Sequence, residues 1–193
     1  MYTFVFLWTP ALAPQGEDVP YGFVFATFML ASMAGSALAG HFFALGWRPE
    51  HFMRWVFLTA AVCMAVPVAF HAHKETSASL EAHAHQQITA AGMVQCLAFC
   101  VFEACIGIFW PSMMRMRAHH LPDELRATLI NCFRVPLNLF VCVVLYNVSA
   151  FPLSVMFALC AAFMLFNSLC CKSFAAILDR EERTGKAADG SLA

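Results

Sequence analysis

The run Asn131-Cys132-Phe133-Arg134-Val135-Pro136-Leu137-Asn138 sets a guanidinium inside an apolar stretch that extends from about Ala127 to Val148. A rise of about 1.5 Å per residue puts its Cα roughly 10–12 Å below the end of a helix over that stretch. An arginine so deep in hydrocarbon costs at least about 2.5–3.5 kcal/mol, so it must face protein or a water-filled cavity. Asn131 and Asn138, at i−3 and i+4, share its helical face. A guanidinium between two amides presents directed donors to the oxygens of an anion, in two-point geometry that lysine lacks. Pro136 removes a backbone donor just beyond Arg134 and disturbs the helix there, which opens local polar groups to a cavity.

Glu103 is the second ionisable residue at depth, near the middle of the apolar segment that begins around Ile88. Gly107 and Trp110 share its face at i+4 and i+7, and Ser112 further along the same segment is a candidate assisting group for Arg134. Measured from the basic residues Arg115 and Arg126, Glu103 sits about 18 Å up and Arg134 about 12 Å up, a difference an extended arginine can span. Two readings stand open. The pair is a structural ion pair on neighbouring helices facing one polar cavity, or Glu103 carries a proton or gates Arg134 when substrate arrives. The candidate substrate-binding set is therefore Arg134, Asn131, Asn138, Glu103, Trp110 and Ser112.

The elements that must position these residues follow from composition. The chain is 61% hydrophobic and 12% charged, with 20 Phe and 11 Met. Soluble domains carry about twice that share of charge, so the chain reads as an all-α membrane protein. Apolar segments at about 1–12, 21–46, 52–71, 88–116, 126–149 and 151–172 are expected as six helices forming one bundle. The first is too short to span and reads as the second half of a truncated transmembrane helix. Residues 173–193 mix acids, bases and glycine without apolar period, so they read as a cytoplasmic tail with disorder beyond about Asp179. The nine cysteines fall almost entirely inside apolar segments without a framework spacing and read as free thiols filling space.

The basic residues alternate from one connection to the next. Arg48 and Arg54 flank the second connection, Arg115, Arg117 and Arg126 the fourth, and Lys172, Arg180, Arg183 and Lys186 follow the last helix. The other three connections hold just Lys74. By the positive-inside rule the basic loops and the C-terminus are cytoplasmic. A stripe of Ala31, Gly35 and Ala39, with Ser32, Ser36 and Gly40 one step round, lets two helix backbones approach closely. His71, His73, His83 and His85 form two HxH pairs in the longest external loop, yet no carboxylate or cysteine completes a ligand set, and no metal is assigned. A net charge of −1 argues against a nucleic-acid partner, and no nucleotide loop or hydrolase elbow occurs, so neither an enzyme nor a cofactor is expected.

Four motifs carry a resemblance. They are Tyr2-Thr3-Phe4-Val5-Phe6-Leu7-Trp8-Thr9-Pro10, Phe28-Met29-x-Ala31-Ser32-x-x-Gly35-Ser36, Phe102-Glu103-Ala104-Cys105-Ile106-Gly107 with Trp110-Pro111-Ser112-Met113, and Arg126-Ala127-Thr128-x-x-Asn131-x-Phe133-Arg134-Val135-Pro136-Leu137-Asn138. Together they resemble the C-terminal half of the molybdate-anion transporter family, a branch of the major facilitator superfamily. The resemblance implies a multi-pass protein of the cell membrane in which this chain supplies helices seven to twelve. It implies import of the molybdate oxyanion, with a missing N-terminal half or a second copy as partner alongside the lipid bilayer. The residues by themselves support an anion. They leave open a carrier of a sugar or organic anion, and a non-transporting membrane protein that associates through its small-residue helix.

Overall fold

The computed structural model describes residues 2–12, 20–77, 90–147 and 151–190. These form six helices: α1 (Tyr2–Leu12), α2 (Tyr21–Ala44), α3 (Pro49–Ser77), α4 (Ala90–His120), α5 (Asp123–Tyr146) and α6 (Leu153–Gly190). Helices two to six are each long and apolar enough to cross a membrane, while α1 falls short. In hydrocarbon every backbone N–H and C=O must be satisfied within the protein, and a helix does so by itself. The chain is a multi-pass membrane protein.

The turn from α2 to α3 shows how local sequence sets the ends. Gly46 takes φ +77, its N–H bonds to the Phe43 carbonyl, and the Trp47 N–H reaches back to the Phe42 carbonyl. The Trp47 ring then stacks on Phe42 at 5.1 Å, the apolar contact that accompanies this type of glycine cap. Pro49 starts α3 at a position where a missing N–H costs nothing. The tight turn delivers Arg48 to the end of the bundle where Arg115 and His120 also lie.

Helix α3 packs most extensively on α6, α2 on α4, and α3 on α4, giving a continuous α2–α4–α3–α6 arrangement. Short α1 lays Phe4, Leu7, Trp8 and Ala11 onto it at helical spacing, all of them buried. Phe4 meets Phe99 at 5.1 Å and Phe102 at 4.8 Å, and Phe157 of α6 stacks on Phe99 at 5.8 Å. Offset and edge contacts of this kind add roughly 0.5–1.5 kcal/mol per pair beyond burial. All nine cysteines are free.

The small-residue stripe on α2 is a backbone-to-backbone seam with α4. A Cβ on Gly35 would stand 2.0 Å from the Ala104 carbonyl oxygen, and one on Gly107 would stand 2.0 Å from that of Ser32. Gly40, also in the stripe, has open space around it. Gly35 and Gly107 make the closest approach, Ser32 and Ser36 lie against Gly107, and Gly40 stands outside the contact.

One expectation is corrected. Helix α6 continues to Gly190, so the segment beyond Asp179 is helical up to that point instead of disordered. Along part of this stretch α6 runs beside its neighbours: Glu182 pairs with Arg48, Asp179 approaches His51 at 3.7 Å, and the Phe174 ring meets His120 at 5.4 Å. Single exposed pairs are worth about 0–1 kcal/mol, and several along one helix face add together. Helix α5 touches the bundle only lightly. Val144 reaches the main apolar cluster and Phe140 meets Phe163 of α6 at 5.4 Å. No residue in its most apolar window is buried.

Candidate functional site

Halfway along α5, Arg134 is exposed, as are Asn131 and Asn138. So are the apolar residues around them: Phe133, Val135 and Leu137 are 72%, 70% and 55% exposed. The three polar residues occupy one face of a helix that this chain leaves uncovered. The missing N–H of Pro136 also leaves the Cys132 carbonyl, one turn back, without its usual helical donor.

Glu103 lies elsewhere. It is 3% exposed inside α4, its Oε2 is enclosed without a hydrogen-bond partner, and it forms no ion pair with Arg134. The expectation that the two residues share one polar cavity on neighbouring helices is corrected. Equal depth was the premise, but depth says nothing about azimuth, and α4 and α5 do not pack extensively on each other.

Trp110 and Ser112 do not join Arg134 either. Ser112 is fully buried and its Oγ donates to the Ile108 carbonyl at 2.7 Å, which occupies the hydroxyl proton within α4. Trp110 is half-exposed at the rim of a cavity of about 200 Å³ lined by α3, α4 and α6, with Phe57, Phe102, Phe109, Met164 and Asn167 among its walls. Asn167 spends an N–H on the Phe163 carbonyl at 2.8 Å. No α5 residue lines this cavity. Of the six candidates, Arg134, Asn131 and Asn138 stay together, while Glu103, Trp110 and Ser112 sit on α4 in separate surroundings.

A polar cluster that the sequence reading did not single out closes the basic end of the bundle. Glu50 is 4% exposed; its Oε1 lies 3.1 Å from His120 Nε2 and its Oε2 lies 3.8 Å from Arg48 Nε. Arg48 pairs with Glu182 as well, and Arg115 places its guanidinium 4.7 Å from the centre of the Phe43 ring. The signal available in the sequence was an acid opening an apolar helix amid bases. Of the external histidines, His71 has a described side chain, which stacks parallel to Phe157 at 6.5 Å. His83 and His85 lie outside the described residues.

Comparison with known proteins now bears on this arrangement of apolar helices. The family described as sugar transporters, 12 TM, matches residues 1–99. The chain belongs to this transporter family. It is 32% identical over 147 residues to the molybdate-anion transporter of Takifugu rubripes, covering 74% of this chain and 27% of that protein. It is 30% identical over 175 residues to the molybdate-anion transporter of Xenopus tropicalis, covering 88% of this chain and 35% of that protein. The Xenopus laevis molybdate-anion transporter is 32% identical over 175 residues, with 88% and 36% covered. The chain thus spans about a third of the length of the curated relatives it matches. No solved structure matches it. Family membership and the helical architecture agree in making this a multi-pass membrane protein of a transporter family.

Proposed function

We propose that the chain forms the C-terminal six-helix half of a carrier for the molybdate oxyanion, with Arg134 as the anion-binding group and Asn131 and Asn138 as flanking donors. The observation that carries this reading is the exposed guanidinium halfway along an apolar helix, with no acidic partner among the described residues. Similarity to molybdate-anion transporters supplies the choice of molybdate among anions. Molybdate is a tetrahedral dianion, and a planar fork of N–H donors bridges two of its oxygens. Carriers built from two helical bundles hold substrate between the halves near the midplane. The uncovered α5 suits that position, with an N-terminal half or a second copy closing over it.

Uptake of labelled molybdate by cells expressing the full-length gene tests the reading. Saturable uptake, blocked by other tetrahedral oxyanions and untouched by sugars, is expected. Uptake no greater than in control cells, or carriage of a sugar instead, rejects it.

The direction of the bundle in the membrane is part of the same proposal. The basic ends, including the C-terminal tail, face the cytosol, and the connection around residues 72–87 faces outward. A tag inserted at position 78 should be labelled in intact cells, and a C-terminal tag only after permeabilisation. Labelling of both from one side overturns this orientation.

A further inference from the structure

Glu103 has no part in the anion site just described, yet a carboxyl group is held where carboxylates are costly. It is 3% exposed, and Oε2 is enclosed and unpartnered. The residues that share its helical face are packed against neighbouring helices. On its own face, Phe99 one turn back packs on Phe4 of α1, Phe28 of α2 and Phe157 of α6, and Gly107 one turn on lies against the Ser32 carbonyl of α2.

The ionisable groups on those elements are few. Past Tyr2, α1 has no titratable side chain, and α2 has Tyr21 and His41 at its two ends. On α3 the acids and bases are Glu50, His51 and Arg54 at one end and the group from His71 onward at the other, with the Cys63 thiol between. On α4 itself the nearest groups are the Cys100 and Cys105 thiols, and Arg115 lies about 18 Å along the helix. On α6 the Cys160 thiol stands far from the charges that begin at Lys172. Arg134 of α5 does not pair with Glu103. The one positive charge that acts on Glu103 is the amino terminus at the start of α1, and among the described side chains no cation meets this carboxyl group.

We propose that Glu103 is a proton-binding site, and that the proton it takes up is the coupling ion for the anion carried by this protein. The second clause rests on the oxyanion-carrier reading; the first does not. A buried carboxylate needs a counter-charge. A sodium or divalent ion would need several oxygen ligands around it, and the buried cluster that holds Phe102 and Cys105 is apolar. A proton needs one carboxylate oxygen. Uptake forms an O–H bond at the carboxyl group and release to the other side breaks it, with nothing oxidised or reduced. Every proton that accompanies a dianion inward removes one of the charges that a negative-inside potential opposes. The Gly35–Ala104 contact lies one residue from Glu103, so parting of the α2–α4 seam is the movement that would admit water to it.

Infrared difference spectroscopy of the protein in lipid, acidic minus alkaline buffer, tests the site without substrate. The wild type should show the carbonyl band of a protonated carboxyl group in dry surroundings. Glu103→Gln should lack that band, and Glu103→Asp should keep it at a shifted position. No such band in the wild type, or the same band in the glutamine variant, overturns the proton site. Should Glu103→Gln fail to fold, an unshifted band in Glu103→Asp overturns it equally. For coupling, vesicles holding the full transporter and a pH dye should take up protons together with molybdate. In Glu103→Gln, accumulation driven by a proton gradient should fall about tenfold or more, an ordinary size for two coupled ligands, while exchange at equal pH persists. Retained proton uptake in that variant overturns the coupling. A wild type that shows the band but moves no molybdate supports the proton site and rejects the substrate.

Discussion

Arg134→Ala should abolish molybdate transport by the full-length protein without reducing its expression. The side chain is exposed halfway along α5 and forms no ion pair with Glu103, so its loss strands no buried partner. The surface around it is equally exposed, so the substitution opens no cavity within this chain. What disappears is a set of charge-assisted hydrogen bonds, worth about 1.5–3 kcal/mol each when one partner is ionised. Two such bonds to a dianion correspond to roughly a hundredfold or more in affinity. Arg134→Lys keeps a charge but loses the planar two-point geometry, and should weaken transport by about tenfold. Asn131→Ala and Asn138→Ala should raise the concentration for half-maximal uptake by less. Uptake kinetics and surface expression measured together decide the matter. Normal rate and affinity in Arg134→Ala would make the guanidinium structural.

The second large effect falls on folding. Gly35→Ala and Gly107→Ala each place a Cβ about 2.0 Å from a backbone carbonyl oxygen of the facing helix. A flexible side chain can swing aside, but two packed helix backbones must separate along their length. Overpacking in a close-packed interior usually costs about 1–3 kcal/mol, and a backbone obstacle belongs at the upper end or beyond. Both variants should lose thermal stability and yield of monodisperse protein, with larger residues worse than alanine. Gly40→Ala, on the same helix with open space around it, serves as the control and should behave as wild type. The double variant should cost less than the sum of the singles, because both separate one seam. Equal stability of Gly35→Ala and Gly40→Ala would mean that α2 and α4 are not in backbone contact.

The sequence by itself determined the membrane class and the six helices, though not where the last of them ends. Those rest on one-dimensional physics: about 20 apolar residues are needed to cross a bilayer, and backbone satisfaction then dictates a helix. It also marked Arg134, Asn131 and Asn138 as one face, since spacing within a helix fixes azimuth. The α2 small-residue stripe pointed to a close contact for the same reason, although spacing could not say that Gly35 makes it and Gly40 does not. Tertiary structure decided what lies opposite each face. Glu103 and Arg134 stand at similar computed depths, yet packing of α4 against α2 and α3 buries the first and leaves the second on a nearly free helix. The charged segment after Lys172 looked aperiodic in sequence. In the structure it is helical, and Asp179 and Glu182 meet His51 and Arg48, residues more than 120 positions away that only the folding of α3 onto α6 brings within reach. Contacts between helices depend on rotation about each axis as well as on height, and a linear pattern encodes rotation within one helix but not between two.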